Sequence, residues 1–221
     1  MKKRLLKLLS LCLVIALPLL TGCNALLSKQ PLQTTYYSLE RVQFKTLADL
    51  TPNTNSRLPT LIINTPKAAA GFDTRRMMYT RAIHQVEYFA HNEWVDTPAR
   101  MLQPLMVSAI EKTGQFNAVL PNYRVVKSEL RLESELVRLI QTFNSKPSKM
   151  LFTLRATIID NTTNKVIASR EFDEQADAVS DDPSGGVAAA NQAVNTALEA
   201  TPTTNDTLMT QRPINSDTRA P

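Results

Sequence analysis

The chain has 221 residues, a formal net charge of +5 and a sequence pI near 9.3. Four of its 25 basic side chains and none of its 20 acidic ones lie in residues 1–22, so residues 23–221 carry 21 basic against 20 acidic groups. The high pI therefore does not indicate a nucleic-acid-binding surface, which needs Lys and Arg clustered on the folded domain, and no nucleic-acid partner is expected. Residues 23–221 are enough for one domain with a substantial core.

The N-terminus has the organisation of a bacterial secretory signal. Four basic residues among the first seven precede an apolar run from Leu8 to Leu20, whose 13 residues are well short of a membrane-spanning helix. The run ends in Leu-Thr-Gly-Cys, which resembles the lipobox read by lipoprotein-processing enzymes. The resemblance implies cleavage before Cys23 and attachment of diacylglycerol and an N-acyl chain to that cysteine. No other cofactor is expected.

The chain is predicted to fall into four segments. Residues 1–22 form the lipoprotein signal peptide, and residues 23–34, which are polar and include a proline, form a lipidated flexible tether. Residues 35–200 form the domain. Residues 201–221 contain three Pro, six Thr and few large apolar residues, so we expect a disordered tail.

Short apolar runs predict strands in the first half of the domain. Two isoleucines within Thr60–Asn64, between flanking prolines, indicate a buried strand. Met77–Arg81 and Gln85–Phe89 are typical of a strand pair, with Val86 among the expected buried positions. Lys67–Asp73 is predicted to be a loop.

Two helices are predicted from capping residues and apolar periodicity. Asp96 or Thr97 can cap a first helix that begins at Pro98, and apolar residues then recur at spacings of three and four. Asp181-Asp182-Pro183 opens a second helix, in which Gly185-Gly186 is interpreted as a flexible first turn. The expected apolar face of this second helix consists of Val187, Ala190, Val194 and Leu198.

The second half of the domain predicts a long hairpin. Ser128–Phe143 fits both a strand and a helix, and its pattern alone does not decide between them. Lys149–Ile159 alternates clearly, with Phe152, Leu154, Ala156 and Ile158 on one face. A turn over Asp160–Asn164 then leads into a returning strand over Lys165–Phe172.

The sequence contains no recognisable catalytic or metal-binding pattern, so the protein is not expected to be an enzyme. His84 and His91 are seven residues apart, a spacing that belongs to no standard zinc motif. Glu133 and Glu135 could form a carboxylate pair for acid–base chemistry, but a solvated strand face is the simpler interpretation. Trp94, just before the first helix, is predicted to fill the core.

Partner binding is predicted at basic residues near loops, because binding residues concentrate on loops held by a rigid scaffold. The positions proposed are Lys67, Arg75, Arg76 and Lys149. Metal binding is predicted at none of them.

The order of several short motifs resembles the ABC-type transport auxiliary lipoproteins, the PqiC-like family. The resemblance covers roughly Tyr36–Leu198 and departs from the family where a usual Tyr-Arg doublet is replaced by Tyr79-Thr80-Arg81. The motifs that carry it are Tyr37-Ser38-Leu39, Leu61–Asn64, Arg76-Met77-Met78-Tyr79, Tyr88, Trp94, Pro98, Met101-Leu102, Gly114, Phe116 and Val119.

This resemblance implies an α/β single domain, with a mixed β-sheet that includes a long C-terminal hairpin and two main flanking helices. It also implies that Ser128–Phe143 is a strand. The implied partners are an MCE-domain protein and inner-membrane transporter components of a lipid-trafficking system, with membrane attachment through the lipid anchor. Some family members form rings, so a homo-oligomeric ring is an expectation for this chain.

The residue after the acylated cysteine indicates in which of the two membranes the protein is anchored. Asn24 stands where Asp is the retention signal of the inner membrane in enteric bacteria, which favours a lipid-anchored position at the outer membrane, facing the periplasm. Two other classes stay open at this point. One is an outer-membrane assembly lipoprotein serving a machine for β-barrel proteins or lipopolysaccharide, and the other is a periplasmic enzyme with an unrecognised site.

Overall fold

A computed structural model describes residues 33–40, 58–122 and 126–200 of the chain. These residues form nine strands in one mixed sheet and two helices. The strands are β1 (Thr35–Tyr37), β2 (Leu61–Ile63), β3 (Lys67–Ala68), β4 (Arg76–Ala82), β5 (Gln85–Trp94), β6 (Val119–Pro121), β7 (Leu130–Thr142), β8 (Lys149–Asp160) and β9 (Val166–Asp177). The helices are α1 (Pro98–Lys112) and α2 (Pro183–Glu199).

The long strand β7 organises the sheet. One of its edges pairs with β8 along its whole length, and β8 pairs in turn with β9, so these three strands form an antiparallel meander. The other edge of β7 is shared by β2, β3 and β4, which follow one another along it and all run parallel to it. Outside this second edge, β6 pairs with β2, β5 with β4, and β1 with β5.

Alternating side chains give β7 and its neighbours one apolar face and one charged face. On β7 the side chains of Leu130, Leu132 and Leu136 are buried, and the partly exposed charged residues Arg131, Glu133 and Glu135 alternate with them. The same alternation in β8 buries Phe152 and Leu154. Because successive strand residues point to opposite faces, only the apolar face requires a covering layer.

Both helices cover that apolar face. Helix α1 contacts β2, β6 and β7, and α2 contacts β8 and β9. The apolar stripe of α1 includes Leu102 and Met106, and the buried side of α2 is made of small residues from Ala189 to Ala197 with Val194 between them. Neither helix in the described part of the chain combines the length and the apolar composition needed to span a bilayer.

Both helices begin at a proline, and α2 also has a side-chain cap. Helix α1 starts with Pro98 after Thr97, although the hydroxyl of Thr97 makes no capping hydrogen bond. Helix α2 starts with Pro183 after Asp182, whose Oδ1 accepts a 2.8 Å hydrogen bond from the backbone N–H of Gly185. That bond satisfies one of the free donors of the first helical turn.

The predicted fold class is confirmed, including both helices, the long C-terminal hairpin and a strand at residues 130–142. Three local predictions are wrong. Lys67–Ala68 is a short strand rather than part of a loop, because β7 offers it an open edge. Val86 is 50% exposed, since it lies near the tip of the β4–β5 hairpin and beyond the core. The third concerns Gly186, which is buried in the first turn of α2 rather than serving as flexible chain.

The predicted signal peptide, most of the tether and the C-terminal tail lie outside the described residues. The same holds for Cys23 and Asn24. The predicted segment boundaries therefore stay predictions.

Candidate functional site

An apolar cleft of about 300 Å³ opens between the two helices and the end of the sheet nearest the β8–β9 turn. Met106 and Ile110 of α1 form one wall, and Leu198 of α2 contributes to another. The floor consists of side chains from β7 and β8, among them Leu132 and Ala156. Phe116, in the segment after α1, also lines the cleft.

The cleft exists because the sheet extends further than the helices that cover it. Phe152 and Leu154, in the middle of β8, are 0% and 1% exposed. Ala156 and Ile158, further along the same face of β8, are only partly buried, as is Ile167 on β9. Helix α1 ends at Lys112 and helix α2 at Glu199, so the described residues do not completely cover this end of the apolar face.

Arg170 supplies the one charged group among the cleft-lining residues that the structure describes. Its Nη1 donates a 3.1 Å hydrogen bond to the carbonyl oxygen of Ala200, just beyond the C-terminus of α2. Its guanidinium carbon lies 5.0 Å from the centre of the Phe172 ring. Within the described residues Arg170 takes part in no ion pair with a carboxylate.

The opposite face of the sheet carries ion pairs between side chains of neighbouring strands. Arg155 of β8 lies directly between Glu135 of β7 and Glu171 of β9, with N–O distances of 3.1 and 2.8 Å. Arg138 and Asp173 are joined in the same way at 2.7 Å. A hydrogen bond from the Thr153 hydroxyl, together with the Arg138 guanidinium, lowers the pKa of Asp173.

This charged face gives no sign of acid–base chemistry. Glu135 forms an ion pair with Arg155. Glu133 accepts a hydrogen bond from the side-chain amide of Asn64 and forms an ion pair with Arg131. Solvated strand carboxylates in cross-strand pairs stabilise the sheet by up to about 1 kcal/mol per pair. Within residues 33–40, 58–122 and 126–200, no three His, Cys, Asp or Glu side chains are close enough together to hold a metal ion.

The four basic residues predicted to bind a partner do not form one patch. Lys67 lies opposite Glu135 in β7, whereas Lys149 lies opposite Thr142. Seven residues of strand separate the two levels, which corresponds to about 23 Å. The structure therefore places these two lysines at different levels of the sheet.

Arg75 and Arg76 are both engaged in contacts at the start of β4. The Nε of Arg75 donates a 3.1 Å hydrogen bond to the carbonyl oxygen of Trp94, and its Nη2 lies 3.9 Å from Glu93. The guanidinium carbon of Arg76 lies 3.5 Å from the centre of the Tyr88 ring. Lys149 also has an internal partner, Asp177, at 3.4 Å. These contacts hold the side chains in place and leave their exposed charges able to meet a partner.

Sequence reasoning missed the cleft and Arg170. The alternation of β8 predicts that Ala156 and Ile158 share a face with Leu154, but it does not show where the helices end. A signal for Arg170 was present, because it occupies an apolar-face position between Ala168 and Phe172. A charged residue in that pattern marks a place where the face meets solvent.

The geometry of the domain does not show to which family the chain belongs, but comparison with known proteins does. The family model described as the ABC-type transport auxiliary lipoprotein component matches residues 37–200. The chain belongs to this family. The match runs from β1 to the residue after α2, so it includes all the described elements from β2 onwards.

Solved structures show the same fold. The crystal structure of protein XCC0632 from Xanthomonas campestris is 21% identical, covers 76% of this chain and 91% of its own, and gives a TM-score of 0.64. A second crystal structure, of an uncharacterised protein, is 12% identical, covers 76% of this chain and 96% of its own, and gives a TM-score of 0.57. At these identities the likeness shows the fold alone. Among curated proteins, none matches the sequence significantly.

Proposed function

We propose that the protein is a non-catalytic, lipid-anchored periplasmic subunit of an MCE-type ABC transport system that moves lipids between the inner and outer membranes. The observation that carries this proposal is the family match over residues 37–200, which starts soon after a lipobox-like sequence at Cys23. An auxiliary lipoprotein of an ABC transport system works in contact with both a membrane and other transport subunits.

The shape of the domain supports a binding role. Its described residues offer a cleft whose walls are aliphatic and aromatic, with a single charged side chain, Arg170, among the residues that line it. Ligand sites in proteins are mostly apolar concavities with few polar groups. A cleft of this composition suits an apolar ligand and lacks the convergent acid, base and nucleophile that catalysis requires.

The proposed location follows from the N-terminal sequence. Acylation of Cys23 would give the chain several acyl chains, and two or more chains give stable membrane anchoring. Asn24 in place of an inner-membrane retention signal supports the outer membrane, with the domain facing the periplasm. The partners proposed are an MCE-domain protein and inner-membrane transporter components, and the domain is proposed to form a homo-oligomeric ring.

Cross-linking in intact cells followed by mass spectrometry tests this function. The full chain is expressed in its own host, and cross-linked species are isolated from both membranes. Recovery of an MCE-domain protein is the expected result. Recovery of outer-membrane assembly proteins without any MCE-domain protein would reject the transport function and favour the assembly alternative.

Charge reversal tests which surface meets the partner. Lys67→Glu and Lys149→Glu should weaken cross-linking to the MCE-domain protein, because electrostatic complementarity steers association. Lys127→Glu is the control, since Lys127 is exposed like Lys67 and belongs to neither predicted site. Equal loss of cross-linking in all three variants would argue against these sites and for a general effect of charge.

A further inference from the structure

We propose that the cleft binds one acyl chain of a phospholipid, with the lipid phosphate beside Arg170. This inference rests on the function proposed above, because it identifies the place where a lipid-transport subunit would hold its lipid. Three physical reasons favour a phospholipid rather than a protein segment as the ligand of the cleft.

The first reason is size. The cleft has a volume of about 300 Å³. An engineered apolar cavity of about 150 Å³ accommodates benzene, so twice that volume suits roughly a dozen carbon atoms. That corresponds to most of one acyl chain, whereas two chains side by side would not fit.

The second reason is the chemistry of the walls. Most cleft-lining side chains, such as Met106, Ile110, Leu132 and Ile158, offer no donor or acceptor that could pair with a peptide backbone, and apart from Arg170 only Thr113, Gln115 and Ser169 of the described lining are polar. A peptide segment inserted among them would leave its own N–H and C=O groups without partners, unless it were already helical. An acyl chain has no such groups, so it leaves no hydrogen bond unmade when it moves from water into the cleft.

The third reason is the charge at the edge of the cleft. Arg170 lines the cleft and is solvent-exposed, and no carboxylate pairs with it within the described residues. Arginines elsewhere on the same sheet do have carboxylate partners, as Arg155 and Arg138 show. The bond to the Ala200 carbonyl uses one donor of a guanidinium that has five. The remaining donors match the geometry of a phosphate, which arginine binds through two parallel hydrogen bonds.

A rival interpretation assigns Arg170 a purely structural role at the end of α2. A cation near a helix C-terminus stabilises the helix dipole, and Arg170 is suitably placed for this. Binding to phosphate and binding to the helix end are compatible, since they use different N–H groups. The two roles are separated by a lipid-binding measurement, which a structural role alone would not change.

The test uses the full chain in intact cells. The photoreactive residue p-benzoylphenylalanine replaces Phe116, an aromatic side chain of similar shape that lines the cleft and is half-buried. Cells are grown with [32P]orthophosphate, irradiated, and the protein is purified under denaturing conditions. The diacylglycerol anchor contains no phosphate, so a labelled band reports a phosphate-bearing lipid cross-linked at the cleft, and loss of the label on treatment with phospholipase C identifies it as a phospholipid rather than lipopolysaccharide. The matched control places the same residue at Phe89, which is also half-buried but does not line the cleft.

The expected result is a 32P-labelled adduct at Phe116 and none at Phe89. Ala156→Phe, which fills the cleft, should reduce the signal to background, whereas Thr157→Phe on the other face of β8 should leave it unchanged. Arg170→Glu should lower the signal about two- to fivefold, the range that a solvent-exposed charge pair supports, and Arg170→Lys should give an intermediate signal, because lysine keeps the charge but not the two parallel hydrogen bonds. Thermal unfolding of each variant checks that the fold is kept, and the exposed Arg170 variants keep the test valid if Ala156→Phe fails to fold.

Four outcomes overturn the inference. They are the absence of labelled adduct at Phe116, a cross-link to another protein, a cross-link to a second copy of the chain, and a cross-link to residues 201–221 of the same chain. Partner cross-linking in the same cells separates the two proposals. If MCE-domain adducts are present without phospholipid, the cleft proposal fails and the transport function stands. If phospholipid is present without MCE-domain adducts, the cleft proposal stands and the transport function fails.

Discussion

The side-chain amide of Gln141 lies directly against the Cα of Gly186, where the end of β7 meets the first turn of α2. Gln141 is 1% exposed, and its Nε2 donates a 2.9 Å hydrogen bond to the Ser148 hydroxyl and a 3.3 Å bond to the carbonyl oxygen of Asp182. The buried amide therefore connects β7, the β7–β8 turn and the start of α2. A methyl group at Gly186 would collide with Gln141.

Gly186→Ala should lower the free energy of unfolding by about 1–3 kcal/mol, the usual cost of overpacking a well-packed site. Urea unfolding measures it. Ser184→Ala, at an exposed position in the same turn, is the control and should change stability by no more than about 0.5 kcal/mol. Combining Gln141→Ala with Gly186→Ala should cost less than the sum of the two single losses, because the shortened side chain removes the collision. Strictly additive effects in this double-mutant cycle would contradict the proposed contact.

Trp94→Ala should cost about 3–5 kcal/mol of folding stability, because the indole fills the core between the sheet and the helices. Trp94 is 3% exposed, which confirms its predicted place in the core. The neighbouring Val95 is 48% exposed, so Val95→Ala is the matched control and should be nearly neutral. A loss below about 1 kcal/mol for the tryptophan variant would be incompatible with a core role.

The first turn of α2 should become acid-sensitive through Asp182. The hydrogen bond from the Gly185 N–H, helped by that from Ser180, lowers the pKa of Asp182. A lowered folded-state pKa means that its stabilisation is complete above the unfolded pKa of about 3.8 and is lost as the pH falls through the folded value. Asp182→Ala should cost about 1 kcal/mol at neutral pH, as other lost N-caps do.

Asp182→Asn separates capping from charge in the same experiment. Asparagine caps about as well as aspartate, so stability at neutral pH should change little, while the part of the acid sensitivity that belongs to this position should disappear. Urea unfolding at neutral pH and below pH 3.8 compares the three proteins. If the asparagine variant loses as much stability on acidification as the parent, Asp182 does not contribute to the pH dependence.

Cys23→Ala should prevent acylation, and a chain that starts at Asn24 behind a cleavable signal should be found in the soluble fraction. Membrane attachment is attributed to the acyl chains, and two or more are needed for stable anchoring. Fractionation of cells lacking the partner genes measures this. A chain that remains in the membrane fraction without its lipid would show that the domain itself binds the membrane.

Asn24→Asp should move the protein towards the inner membrane in an enteric host. The residue after the acylated cysteine is the proposed sorting signal, and it is changed here without altering the folded domain. Density-gradient separation of the two membranes measures the distribution. An unchanged outer-membrane position would contradict the sorting proposal and leave the lipobox unaffected.

Local patterns predicted the elements of this fold well, because most of them carry their own signals. The alternation in Lys149–Ile159 and the cap at Asp182 depend on residues close in sequence, and the structure confirms both. Ser128–Phe143 was ambiguous from its pattern and required the family resemblance. Its strand conformation depends on partners on both edges, and those on one edge, such as β2, lie far away in the chain.

The cleft could not be predicted for a related reason. It results from the relative lengths of the helices and strands and from how they are stacked, and no single segment encodes these. Gly186 is a similar case, since its tight contact with Gln141 joins residues from two elements. The partner-binding prediction at Lys67 and Lys149 rested on loop position alone, and the structure places Lys67 opposite the middle of β7 and Lys149 opposite its end.

The shared edge of β7 also has a consequence for the newly made chain. β2, β3 and β4 leave the ribosome first, but the strand with which all three pair begins only at Leu130. Until then the strands that carry the buried side chains of Leu61, Ile63 and Met77 have only β6 or β5 to pair with and lack the central strand of the sheet. Exposed apolar strands of this kind are prone to aggregate and to bind chaperones. The first half of the domain therefore cannot complete its sheet until β7 has been synthesised, which favours a chain whose domain folds only after its second half has been made.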